Sequence, residues 1–214
     1  MSACASVEAP SLADELLAVQ RGGETLRQPF GRAAASLTDG LACAAPAARD
    51  RLGWRGVPLP RVWLADAVVV PVVEMDPVAW SARRAAGAGP IVDRTWWLAS
   101  SDASYVNAPV APVLISGFFV LGPLSRSRAA LGRLRTCAPV AALIPTSPEP
   151  AILEMMRCDY YGHSVVAARG DDAELLLEAP RWVPPQGAVH FQRKLREEQL
   201  FEVALRTGHA PSSL

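Results

Sequence analysis

The chain has 214 residues, 50% of them hydrophobic and 20% charged, which supports a packed core and excludes global disorder. Lys+Arg and Asp+Glu both number 21, so the formal net charge is zero. That balance excludes a whole-chain electrostatic attraction to nucleic acid or to an acidic membrane, although a local basic face remains open. At this length one domain is the default, divided here into an N-terminal helical segment (1–52), an α/β core (53–190) and a C-terminal helix and tail (191–214).

In chain order, Leu12, Leu16 and Val19 stand at helical spacing behind Ser11, and Gly22-Gly23 ends that helix. Gly31 to Asp50 is alanine-rich and predicts one or two short helices broken or restarted at Pro46. Val62 to Val70 reads as one strong strand, interrupted at Pro71 and continued over Val72 to Asp76. Asp76-Pro77 is placed to open a short helix through Trp80 and Arg84. Thr95 to Ala99 and Ala103 to Val106 are further strand candidates.

The stretch from Phe118 to Glu178 carries the strongest pattern. Gly117 to Leu121 is an apolar run closed by Gly122-Pro123. Ser125 is then a candidate N-cap for a helix with Leu124, Leu131 and Leu134 on one side and Arg126, Arg128, Arg133 and Arg135 on the others. Val140 to Ile144 is a second apolar run. Ser147 is a candidate cap for a helix whose apolar side is Ile152, Leu153, Met155 and Met156, stopped at Gly162. His163 to Ala168 and Ala173 to Glu178 are strands joined by a turn at Gly170-Asp171-Asp172. Continuous apolar strands alternating with helices predict an α/β fold, a mixed central sheet with flanking helices. Phe191 to Arg206 reads as a charged helix with a narrow apolar stripe.

Ala103 to Ser125 contains no charged residue, long enough to span a bilayer, but its prolines and glycine favour two buried strands, so no membrane insertion is expected. No basic n-region precedes an apolar core at the N-terminus, and Cys4, Cys43, Cys137 and Cys158 show no C-x-x-C spacing. Reduced thiols and a cytoplasmic location are the expectation.

Several chemistries lack their residues. Lys194 is the only lysine and does not follow a Gly-rich turn, so the phosphate-binding P-loop is absent, and no G-x-G-x-x-G follows a strand. His163, His190 and His209 are scattered, against a zinc site. Gly162-His163-Ser164 is similar to a hydrolase nucleophile elbow but has Val166 where the second glycine belongs. Asp66, Glu74 and Asp76 are candidate magnesium ligands if strand ends bring them together; otherwise Asp66 is a strand-edge acid and Asp76 a helix cap. Asp93 and Asp102 are weaker candidates of the same kind. Among the tryptophans, Trp63, Trp80, Trp96 and Trp97 are candidates for base stacking or, more commonly, for core packing.

Val120 to Ser125 with the arginine-bearing helix behind it, then Val140 to Pro145, then Tyr160 to Val166, resembles the core of the PD-(D/E)XK nuclease superfamily. The resemblance implies a restriction-endonuclease-like core. Where the family places an acid and a lysine, this chain has Leu121 and Pro123 or, if Glu74-Met75-Asp76 is the equivalent strand, an aspartate in place of the lysine, so what the resemblance implies is a nuclease-like scaffold acting on or near DNA without its metal chemistry. Arg126, Arg128, Arg133 and Arg135 would then contact phosphates. The alternatives are a non-enzymatic partner-binding or assembly protein docking through the Phe191–Arg206 helix and the Trp182 loop, and a metal-dependent hydrolase built on Asp66, Glu74 and Asp76.

Overall fold

A computed structural model describes residues 32–93, 109–184 and 189–209. The readings at Leu12 to Val19, Thr95 to Ala99 (with Trp96 and Trp97), Asp102, Ala103 to Val106 and Cys4 lie outside the described residues.

The order of elements is α1 (Arg32–Cys43), α2 (Ala45–Arg51), β1 (Val57–Pro58), β2 (Val62–Leu64), β3 (Ala67–Met75), α3 (Pro77–Ala85), β4 (Val113–Leu121), α4 (Leu124–Arg135), β5 (Val140–Pro145), α5 (Ile152–Tyr161), β6 (Ser164–Arg169), β7 (Asp172–Leu177) and α6 (Val189–Arg206). The strands form one mixed seven-stranded sheet in the order β1-β3-β4-β5-β6-β7, with β2 also pairing with β3. The apolar runs at β4, β5 and β6 are adjacent and parallel, joined through α4 and α5, while β3 and β7 run antiparallel to their neighbours.

Because β4, β5 and β6 are covered on both faces, alternate residues feed two cores. Phe118, Val120, Val140, Ala142, Ile144, Val165 and Ala167 face α4 and α6, which contribute Leu131, Leu134, Leu200, Phe201 and Leu205. Phe119, Leu121, Ala141, Leu143, Val166 and Ala168 face α1 and α2, which contribute Leu41, Ala44, Ala45 and Ala48. The molecule is therefore helix, sheet, helix in three layers. Phe118 and Phe119, fully buried on opposite faces, are each worth roughly 1.5–3 kcal/mol of burial.

Five expectations are corrected. Val62 to Val70 is not one strand: the chain folds back at Ala65-Asp66, both with positive φ (55° and 62°), making a two-residue hairpin turn between Leu64 and its partner Ala67. Pro71 does not interrupt the second strand. Its carbonyl accepts from Leu59 N at 2.8 Å, so its missing N–H also points to the β1/β2 side. There it falls in the gap between the two short strands, where no ladder bond is lost. Ser125 and Ser147 are not caps; Pro123 and Ala151 hold those positions, without a side-chain cap bond.

The apolar side of α5 is not its buried side. Ile152, Leu153 and Met156 are exposed, with Met155 half-buried and Cys158 the buried residue. The apolar stripe expected on α6 packs inward at Leu195 and Leu200. Leu195, Leu200, Phe201, Ala204 and Leu205 are buried, and so are Glu197, Glu198, Gln199 and Glu202. Among the described residues no helix is long and apolar enough to cross a membrane.

Candidate functional site

The three carboxylates considered for magnesium do not converge. Asp66 and Asp76 flank opposite ends of β3, on the order of 30 Å apart at strand rise. Each has a local role. Asp66 pairs with Arg133 across the hairpin turn. Asp76 caps α3, accepting from Val78 N at 2.9 Å and Ala79 N at 3.1 Å. Glu74 lies 3.7 Å from Arg55. Among the described residues no group of three or more His, Cys, Asp or Glu is arranged to hold a metal ion. The metal-hydrolase alternative therefore gains no ligand cluster among the described residues. Ser164, from the elbow-like tripeptide, is spent as a latch: its Oγ accepts from Ala179 N at 3.1 Å, tying the exit of β7 to the start of β6.

The four arginines of α4 do not share a face either. At 100° per residue, Arg126 and Arg133 fall on one flank and Arg128 and Arg135 on the other, with the buried Leu124, Leu131 and Leu134 between them. The Arg133 flank meets the hairpin through Asp66. The Arg128 and Arg135 flank meets α5 and lines the mouth of a cavity of about 740 Å³.

This cavity is the feature that sequence reasoning missed. Its chemistry comes from three separate stretches: Arg128 and Arg135 of α4, Arg157 and Tyr161 of α5 with His163 after it, and Trp182 in the loop after β7. Each is placed by a local cause. Gly162 ends α5 in the left-handed region (φ 65°), and the chain turns at once into β6, pinning His163 at the corner. A Cβ on Gly162 would meet Arg135 Nη2 at 2.5 Å, so the same glycine gives the guanidinium room. Trp182 Nε1 donates to Arg135 O at 2.8 Å, which fastens the loop to the carbonyl end of α4. On the indole ring the Arg193 guanidinium lies 5.5 Å from the centroid. A smaller cavity of about 410 Å³ adjoins it and shares Arg135 and Trp182.

The electrostatics are one-sided. Among the described residues no carboxylate lines the larger cavity, and Arg128, Arg135 and Arg157 make no ion pair. His163 is 3% exposed, stacked under Tyr161 with centroids 6.1 Å apart. Burial pulls its imidazole down to about 4, and Arg135 pulls the same way, so the ring is neutral at pH 7. Its Nδ1 is buried without a hydrogen-bond partner, the one such side-chain atom among the described residues. Burial also raises the Cys137 and Cys158 thiols, which leaves both protonated at neutral pH and unprimed as nucleophiles. Three cations, two aromatic rings and a neutral imidazole can bind an anion carrying a planar group; they offer no carboxylate base and no metal ligand set.

Searches of protein families, of curated proteins and of solved structures find no match to this chain.

Proposed function

We propose that the chain is a nuclease-like α/β domain that holds nucleic acid without cutting it, and that the cavity between α4, α5 and the Trp182 loop is where a phosphate is gripped. The observation that carries this reading is the group of Arg128, Arg135 and Arg157 around one cavity, with no acidic residue among the described residues of its lining. Guanidiniums left without carboxylates in a half-enclosed site are suited to phosphate oxygens, which accept two parallel N–H bonds. Trp182 and Tyr161 add faces on which a base can stack. Support for a restriction-endonuclease-like core is the strand pair β3–β4 leading through α4 into parallel β5. Leu121 and Pro123 at the catalytic positions of that resemblance fit a scaffold that binds without hydrolysis.

The test is fluorescence anisotropy of labelled single-stranded and duplex DNA at two salt concentrations, with EDTA or with magnesium. Binding is expected to weaken steeply with salt and to be indifferent to magnesium. Arg128→Gln and Arg157→Gln should each weaken it about tenfold and lower the salt slope by about one. Arg126→Gln, on the opposite flank, should weaken it less. An equal loss in Arg126→Gln would move the contact surface away from the cavity, and no binding at low salt would remove the reading.

A further inference from the structure

The cavity is shaped for more than a passing phosphodiester. Arg128 and Arg135 approach from α4 and Arg157 from α5, so three positive charges converge on one volume. A backbone phosphodiester brings a single negative charge. A terminal phosphate monoester brings about −1.5 to −2 at neutral pH and three acceptor oxygens. The second observation is independent of charge. His163 is buried, neutral and part of the cavity lining, and its Nδ1 has no partner among the described residues. An unsatisfied buried nitrogen beside a polar cavity marks a place where a bound group or its ordered water completes the hydrogen bonding. The third is volume. About 740 Å³ lies in the range of small-molecule sites, and Trp182 and Tyr161 supply flat apolar walls within it.

Resting on the binding reading above, we infer that the ligand of this cavity is a phosphate monoester attached to a planar base: a nucleoside monophosphate unit, free or at the end of a strand. The three guanidiniums hold the monoester. The base lies against the indole, whose other contacts, to Arg135 O and to Arg193, keep the ring in place.

The experiment uses the full chain and a short 3′-labelled single-stranded oligonucleotide, made with either a 5′-phosphate or a 5′-hydroxyl, with adenosine monophosphate and adenosine as competitors. The phosphorylated strand should bind at least tenfold more tightly. Adenosine monophosphate should compete and adenosine should not. Arg157→Gln should abolish the preference for the phosphorylated end, and Trp182→Leu should weaken both strands while leaving the preference in place. Equal affinity for the two strands, with no competition by adenosine monophosphate, overturns the inference and leaves the DNA-binding reading standing. Binding of adenosine monophosphate with no retention of either strand upholds the inference and removes the DNA-binding reading. Failure of every probe removes both.

Discussion

Arg83 and Arg135 are both drawn in from the surface of their helices, yet the fold receives them differently. Arg83, 3% exposed on α3, is met on all sides. Glu198 of α6 pairs with it, Gly89 O accepts at 3.0 Å and Val110 O at 3.2 Å. Glu198 is completed in turn by Ile91 N at 2.8 Å. Burial raises the Glu198 carboxyl above its usual range, and Arg83 and the Ile91 N–H oppose that rise. Arg135, with Arg128 and Arg157, lines an open volume that has no carboxylate among the described residues. One cation is a fastening between α3, α6 and the chain at Gly89, Ile91 and Val110. Among the described residues the fold satisfies the buried Arg83 from several sides and gives Arg128, Arg135 and Arg157, which are exposed or half-buried, no ion pair.

The sharpest way to break that contrast is to take the partner from Arg83. Glu198→Ala leaves a buried cation unpaired and should destabilise the domain by about 3–5 kcal/mol, read as a fall in the urea midpoint. Arg83→Met with Glu198→Leu should recover most of that loss, because no buried charge is then left alone. A loss below about 1 kcal/mol for Glu198→Ala would mean that the pair is no fastening.

The cavity has its own stability signature, smaller and dependent on pH. His163 has its folded-state pKa lowered from 6.5 to about 4 by burial and by Arg135. The unfolded chain therefore takes up this proton first as pH falls. Stability attached to His163 is complete above pH 6.5 and is lost progressively toward pH 4, by at most about 3 kcal/mol at 1.36 kcal/mol per unit. Denaturation of the wild type and of His163→Gln at pH 7 and at pH 4.5 isolates this contribution: the variant should lose less on acidification. Parallel losses in the two proteins would show that the imidazole is not held neutral.

How far this was readable from the sequence differs by region for physical reasons. The β4, β5 and β6 strands announce themselves because strands covered on both faces must be apolar throughout. Asp76 was legible as a cap because Asp-Pro at a helix start has a local mechanism. The hairpin at Ala65-Asp66 was not, because alanine gives no turn signal and the cost of its left-handed backbone is met by pairing elsewhere in β2 and β3. Ile152, Leu153 and Met156 misled because periodicity locates an apolar face without saying whether anything covers it. The cavity stayed hidden because its residues are brought together by topology alone. Two traces were visible: Arg128 and Arg135 seven residues apart on one helix flank, and the Gly162-His163 step, which was weighed as a nucleophile elbow rather than as a corner beside Arg135.

The smallest expected effect on stability is at Arg128. Arg128→Gln should change stability by less than about 0.5 kcal/mol, because Arg128 is exposed, makes no ion pair among the described residues and gives way to a residue of similar helix propensity. Removing it also relieves repulsion from Arg135 one flank-length along the helix, so a slight gain is as consistent as no change. The same substitution should still cost about tenfold in affinity for DNA. Unfolding midpoints and anisotropy measured on one preparation give both numbers. If Arg128→Gln costs more than about 1 kcal/mol of stability, Arg128 belongs with Arg83 as a piece of the framework, and the cavity loses its claim to be held open for an anion.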